Sequence, residues 1–494
     1  MDRREFVRLA AMTAAGVAVT SCTSLTPRHQ APEKHGPTGE RLLLVNASIV
    51  DVVQGKLRPE TAILITDGKV AEILATESIP GINADRTVDL GGAFVIPGLI
   101  NAHCHMTLPG AISMGAGMLP SYSRQIERNA EECVKHGVTT VRDMMAIAGP
   151  MKDLLKKISR GEIAAPRIAR SCALDVQNGY TKTTAIIYAP AFWQPAGYPI
   201  EARESVRTAK ERGAHFIKIF QQDRELIEPG RKLPRMDLRT VQAVCDEAAK
   251  LGMTVAMHHT DALGLMRGIE GPVNSFEHMT RERTLTPAEV EKAAKSGIFF
   301  IPTASVAFSL AFQSPGDLNW GREPLPRMVE ERKRMFPSLV KEFSEPELVD
   351  GMLKIFAMFS DPSYFAQKHI TPVPSVKVFS SAATVGTENL LKLKAAGVQF
   401  GCGNDGGVPM IFPGAMSLEM TLMEEAGFTP AEVLKAATAN NAKILRMEDT
   451  LGSVDKGKIA DLVVLEKNPL ETSRNTAHPK MVFQGGRMVY KATA

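Results

Sequence analysis

The run "PGLINAHCHM" (residues 97–106) closes an apolar stretch with two histidines one residue apart. If that stretch is a strand, side chains at i and i+2 point to one side. His103 and His105 then project together, and Cys104 faces the other way. Two imidazoles side by side suit a metal ion. Polar strand ends also carry such pairs without one, so the pair alone does not decide. Four more apolar runs bear groups of this kind. Lys218 lies inside "FIKIF", His258 and His259 end "TVAMHH", His278 ends "EH" of "SFEHM", and Asp405 ends "VQFGCGND". The chain has only 11 histidines. Five of them fall at three of these ends, which points to metal ligation rather than to scattered hydrogen-bonding histidines.

The elements that must hold these groups are short apolar strands separated by helices. Strands are expected at "VIPGLINAH", "VTTVRDM", "RIARSCA", "HFIKIF", "TVAMHH", "SFEHM", "IFFIPTA" and "VQFGCGND". Segments such as "SYSRQIERNAEECVKHG" and "DLRTVQAVCDEAAKLG" have the spacing of amphipathic helices and end in glycine. Eight strand–helix repeats predict an α/β fold, a (β/α)8 TIM-like barrel over residues 97–446, whose chemistry belongs at the C-terminal strand ends. Residues 41–75 differ in texture. β-branched runs are broken by "QGK" and "DGK", which are hairpin turn signals. The same texture returns at 456–468 and 479–491. Residues 41–96 and 447–494 are therefore expected to build one small β-sandwich from both ends of the chain.

The 494 residues are 44% hydrophobic and 23% charged, an ordinary globular make-up with material for a large core. A net charge of +4 with no basic block gives no electrostatic case for nucleic acid. The first residues read differently. Arg3 and Arg4 precede an apolar run from Ala10 to Thr20, too short to span a bilayer but right for an export signal of the twin-arginine type. The run ends in "VTSC", similar to a bacterial lipobox, which would make Cys22 a lipidated residue. Residues 1–22 are thus expected to be a signal and 23–40 a polar, proline-containing tether. An exported protein of the periplasm or cell envelope follows, with membrane attachment through Cys22. The remaining five cysteines are odd in number and scattered, so buried thiols are expected rather than a disulfide framework.

Taken together, "VIPGLINAHCHM", "GVTTVRDM", "GAHFIKIF", "EVLKAATANNAKIL" and "LGSVDKGKIADLVVLEKNPL" resemble, in order, stretches of the metal-dependent amidohydrolase superfamily. The likeness is to the branch with Xaa-Pro-dipeptidase-like and N-acyl-amino-acid hydrolases, some of which cleave aryl amides of phenylalanine such as ochratoxin. It runs from about Arg41 to Tyr490, with a divergent stretch near 305–385. The resemblance implies two divalent metal ions, with Zn2+ the expected metal. His103 and His105 would hold the first, His258 and His278 the second. Lys218, carboxylated by CO2, would bridge them. Asp405 would bind the first ion and shuttle the proton. His258 is preferred to His259 because the family spaces its strand-five and strand-six histidines by twenty residues, the separation of His258 and His278, and has a glycine where Gly264 stands. Strand alternation also turns His259 away. Alternation likewise predicts that Cys104 and Glu277 face outward and pack.

The implied reaction is amide hydrolysis with an amino acid as the leaving amine, on dipeptides or N-acyl amino acids. No serine or cysteine nucleophile is required, and no "GxSxG" motif occurs. Loop cations and hydroxyls past the strand ends could grip a product carboxylate. Arg142, Tyr180, Arg231 and Lys232 are the candidates, with a surface salt bridge the plainer reading for Arg231 and Lys232. The partner is then a small amide or dipeptide, and a homo-oligomer is expected. Two other functions fit parts of the pattern. One is a mononuclear cyclic-amide hydrolase or deaminase resembling imidazolonepropionases, which lack the bridging lysine. The other is a lipoprotein that binds metal or solute without turnover, for which Asp405 as a proton shuttle would have no use.

Overall fold

The computed structural model describes residues 39–110, 119–181, 193–224, 231–310, 319–320, 323–360, 382–408 and 410–493. Arg3, Arg4, Cys22 and nearly all of the expected tether lie outside the described residues. Among the described residues no helix is long and apolar enough to cross a membrane.

The chain opens with β1 (Arg41–Asp51), β2 (Lys56–Thr66), β3 (Lys69–Ala75), β4 (Arg86–Asp89) and β5 (Phe94–Pro97). It then enters a parallel sheet. Its strands are β6 (Leu99–Cys104), β7 (Val138–Asp143), β8 (Arg167–Asp175), β9 (Trp193–Pro195), β10 (Phe216–Gln221), β11 (Thr254–His259), β12 (Ser275–Glu277) and β13 (Phe299–Ile301). The sheet runs in the order β13-β12-β11-β10-β8-β7-β6, with β9 on the side of β8. Two-residue strands β14 (Asn319–Trp320) and β15 (Glu323–Pro324) pair with each other, and β16 (Leu462–Leu465), β17 (Met481–Gln484) and β18 (Arg487–Lys491) follow.

Seven of the eight expected barrel strands are regular. The eighth, "VQFGCGND", is an extended segment without a continuous ladder, yet it closes the barrel. On one side the Phe300 amide donates to the Gln399 carbonyl and the Gly401 amide to Phe300. On the other, Ala102 donates to Cys402, Asp405 to His103 and His105 to Gly406. The glycines explain the irregularity. A Cβ on Gly403 would meet the His103 nitrogen at 2.5 Å, and one on Gly401 would meet Asn441 Oδ1 at 2.6 Å. The backbone comes closer here than a side chain allows.

β10 is buried at all six positions, as a strand covered on both faces must be. The helices outside it have explicit start signals. Asp237 accepts the Thr240 amide at the head of Leu238–Lys250, and Asp261 accepts Gly264 at the head of Ala262–Glu270. A reciprocal Thr286/Glu289 box opens Pro287–Ser296, and left-handed Gly297 ends it.

The two ends of the chain join as expected, in one continuous sheet of order β18-β17-β16-β5-β1-β2-β3 with β4 beside β1. Its central seam pairs β5 antiparallel with β16, Val463 opposite Ile96. Side chains from both halves, including Leu44, Ile63, Val95, Val464 and Phe483, share a single core. Among the described residues none of the five cysteines is in a disulfide, and all but Cys172 are buried.

Candidate metal centre

His103 is the penultimate residue of β6, and His105 follows directly after the strand; their rings meet edge to face at 5.8 Å between centroids. The backbone bond from Asp405 to the His103 carbonyl draws the eighth segment alongside them. Asp405 has φ 55°, a left-handed conformation that aims its carboxylate across the strand end. Its Oδ1 lies 3.3 Å from His103 Nε2 and 3.0 Å from His105 Nε2. Even so, Oδ1 makes no hydrogen bond of acceptable geometry. Three electron-pair donors therefore converge on a common point without satisfying one another.

His278 completes this side. It also has left-handed backbone, φ 73°, and its ring lies 4.9 Å from that of His103. Its Nδ1 is 2.7 Å from the Thr303 hydroxyl, and Thr303 too is left-handed, φ 49°. Ligand atoms of His103, His278 and Asp405 all lie within 4.8 Å of one another. His258, at the end of β11, stands 4.5 Å from the His278 ring. The Gln222 side chain binds His258 Nε2 at 2.8 Å, which leaves Nδ1 free for a ligand. His259 points elsewhere. Its ring packs against Phe276 and Phe300, and its nitrogens meet the Glu277 carbonyl and Thr280 hydroxyl.

Lys218 is 2% exposed, and its Nζ has no hydrogen-bond partner. Burial pulls its pKa down to about 8, while Glu277 and Asp405 pull the other way. Burial also holds His258 and His278 well below the usual histidine range, so both are neutral donors. Burial pushes Asp405 up, but His103 and His105 outweigh it and keep the carboxyl well below its usual range. Neutral imidazoles, one carboxylate and an orphaned buried amine fit a borderline divalent metal such as zinc.

Two expectations are corrected. Glu277 does not face outward. It is fully buried inside the barrel, with Oε2 2.6 Å from His103 Nδ1. Alternation fails because β12 stops at Glu277 and the left-handed backbone of His278 turns the next side chain inward as well. Arg142 does not reach out to substrate. It lies within β7, not past it, and is 1% exposed. Its Nη1 donates to Glu277 Oε1 at 3.1 Å and to Ser275 Oγ at 3.0 Å, and Ser275 Oγ donates to the same Oε1 at 2.7 Å. Burial raises the Glu277 carboxyl, yet Lys218, Arg142 and His103 together hold it below its ordinary range.

Tyr180 stacks on His258 at 4.5 Å between centroids and borders the cluster. Arg231 and Lys232 are exposed on the loop after β10, where Lys232 bridges to Arg224. Sequence reasoning missed Gln222, Thr303 and Arg281. Arg281 is three residues past His278, and its charge acts on both Tyr180 and His258.

The profile "Amidohydrolase family" matches residues 94–489. The ochratoxinase of Aspergillus niger is 24% identical over 481 residues, 91% of this chain and 86% of that protein. The imidazolonepropionase of Pseudomonas putida (strain GB-1) is 22% identical over 444 residues, 86% of this chain and 92% of that protein. A crystal structure of a Xaa-Pro dipeptidase with bound methionine in the active site superposes with a TM-score of 0.68 at 23% identity, covering 92% of this chain and all of that one.

Proposed function

Because the chain belongs to the amidohydrolase family, we propose that it cleaves amide bonds whose leaving group is the amine of an amino acid. Dipeptides and N-acyl amino acids are the substrate class. We further propose that it uses two divalent ions, Zn2+ in the first instance, bridged by a carboxylated Lys218. His103, His105 and Asp405 would hold one ion, His258 and His278 the other. The observation that carries this reading is the Lys218 amine, buried among ligand-type side chains with no partner. A lysine left as a cation there would be costly. Reaction of the neutral amine with CO2 gives an anion that suits two cations.

When bound, such ions polarise a carbonyl and bring the pKa of water from 15.7 down to roughly 7. The protein groups do the rest. Asp405, an ionised carboxylate, accepts the proton of the attacking water and delivers it to the departing amine nitrogen. Glu277 fixes the His103 ring with Nδ1 as its donor, which leaves Nε2 turned toward Asp405. Tyr180 and Arg281 border the His258 side, where a hydroxyl and a guanidinium can take the carboxylate of the amino-acid portion. Export and attachment through Cys22 belong to the same proposal and rest on the Arg3–Arg4 pair and the apolar run after it.

The test is a screen of metal-quantified protein against dipeptides and N-acyl amino acids, with Lys218→Ala in parallel. Turnover by the native protein and loss of both activity and metal in the variant are expected. A fully active Lys218→Ala protein would overturn the bridge. The mononuclear reading, hydrolysis of a cyclic amide, is favoured by the likeness to imidazolonepropionase and by the tight His103–His278–Asp405 trio. Full activity with one ion per chain would select it.

A further inference from the structure

His136 sits just past the helix Leu119–Lys135 and just before β7, at the foot of the barrel rather than at the strand ends that carry the histidine cluster. Its Nε2 lies 2.8 Å from Glu342 Oε1, near the end of the helix Leu325–Phe343. The ring packs on Phe343 at 4.4 Å between centroids. His478, three residues before β17, completes a trio whose ligand atoms all lie within 4.8 Å of one another.

The hydrogen bonds of His136 leave its second nitrogen for this trio. Its Nδ1 is 2.8 Å from the carbonyl of Glu132, an acceptor only, so Nδ1 must carry a proton. The Glu132 carboxylate lies 3.6 Å from the same nitrogen. Nε2 faces the Glu342 carboxylate oxygen at 2.8 Å. A proton on Nε2 makes this contact an ion pair, and a metal ion can replace that proton with the same two atoms as its donors. A backbone carbonyl holding Nδ1–H is also the usual support of a metal-bound histidine. His478 brings a second imidazole to the same point, and its side chain is exposed, so an ion has a path in. Glu342 is half-buried. The other charges facing the trio balance locally, since Arg128 and Lys135 both reach Glu132.

We propose that His136, Glu342 and His478 form a second divalent-metal site, taking a borderline ion of the Zn2+ class. Two imidazoles, one carboxylate and an open fourth position suit such ions and not magnesium or calcium, which prefer all-oxygen sets. Around a tetrahedral ion the donors stand roughly 3.3–3.5 Å apart, so pairs in the trio need to adjust by about 1.5 Å or less. The bound ion staples three distant parts of the chain: the foot of β7, the helix Leu325–Phe343 and the approach to β17. It does not depend on the reading of the barrel site.

Equilibrium dialysis of the full chain against Zn2+ tests this, comparing the native protein with His478→Ala and Glu342→Gln. Each variant is expected to bind one ion fewer per chain, whatever number the barrel holds. The thermal midpoint of the native protein should rise when that last ion binds, and neither variant should show the rise. Equal Zn2+ stoichiometry and an equal rise in all three proteins would overturn the site and leave His136–Glu342 an ion pair only. Loss of the ion in Glu342→Gln but not in His478→Ala would also overturn the trio.

Discussion

Glu277 Oε2 stands 2.6 Å from His103 Nδ1, while the other oxygen of the same carboxylate is held by Arg142 and Ser275. A single buried side chain thus sets the orientation of the His103 ring and neutralises a buried guanidinium. Glu277→Gln should weaken metal binding by about 10–100-fold, the usual cost of losing a group that supports a ligand. It should also destabilise the fold by ~3–5 kcal/mol, because Arg142 loses its counter-charge. Metal titration and denaturant unfolding check the two effects separately. Unchanged metal affinity would show that His103 orients itself without help.

The amine of Lys218, with a pKa of about 8, sets a pH dependence. Below that value the side chain is mostly protonated and cannot react with CO2. Reactivation of metal-stripped protein by Zn2+ at a fixed concentration of dissolved CO2 should therefore accelerate about tenfold per pH unit up to about pH 8 and then level off. Stability has a matching sign. Between about 8 and the ordinary 10.5 the unfolded chain keeps the proton that the folded one has lost. Fold stability contributed by this group thus rises with pH across that window. Reactivation at one rate on both sides of pH 8 would contradict the assignment.

Gly403 lies where the eighth segment crosses β6. Gly403→Ala would press a methyl group to 2.5 Å from the His103 nitrogen and 2.7 Å from its Cβ. Overpacking of this kind costs about 1–3 kcal/mol. The damage should also displace His103, so reduced metal content is expected together with a lower thermal midpoint. A variant as stable and as metal-rich as the native protein would mean that the strand yields more freely than this packing implies.

Glu419 is buried and accepts the Ala304 and Ser305 amides and the Ser305 hydroxyl, immediately after the Thr303 that meets His278. Burial pushes its pKa up to about 7. Between the ordinary value of 4.5 and about 7 the folded protein holds a proton that the unfolded chain has released. Its contribution to stability is therefore full below 4.5 and is lost as pH rises toward 7. Glu419→Gln should flatten the fall in thermal midpoint across that range. An identical pH profile in the variant would show that the carboxyl titrates normally.

Much of this was legible in the sequence. The parallel strands announce themselves as short apolar runs, and the histidines that end them carry their own signal. The alternation rule separates His258 from His259 as the rings are found, one beside His278 and one beside Phe276. It fails at Glu277 because it presumes that a strand continues. A left-handed residue at His278 resets the direction of side chains, and nothing in "SFEHMT" marks it, since the residue is not glycine. Arg142 was misread for a different reason. A long cation near a strand end reads as a loop residue, and only the register against Ala169 places it inside. Its partner lies 135 positions away, beyond any local pattern.

β5 and β6 are separated by Gly98 alone, and β5 is sealed on one side by β16. A side chain at Gly98 would collide with Thr139, so this joint has no slack. The strand that carries His103 is thus anchored to residues near the far terminus of the polypeptide. During synthesis that anchor can form only after β16 (Leu462–Leu465) has been made, long after His103. Deleting β16 to β18 should therefore lower the metal content of a site that the β5–β16 pairing supports only through the backbone.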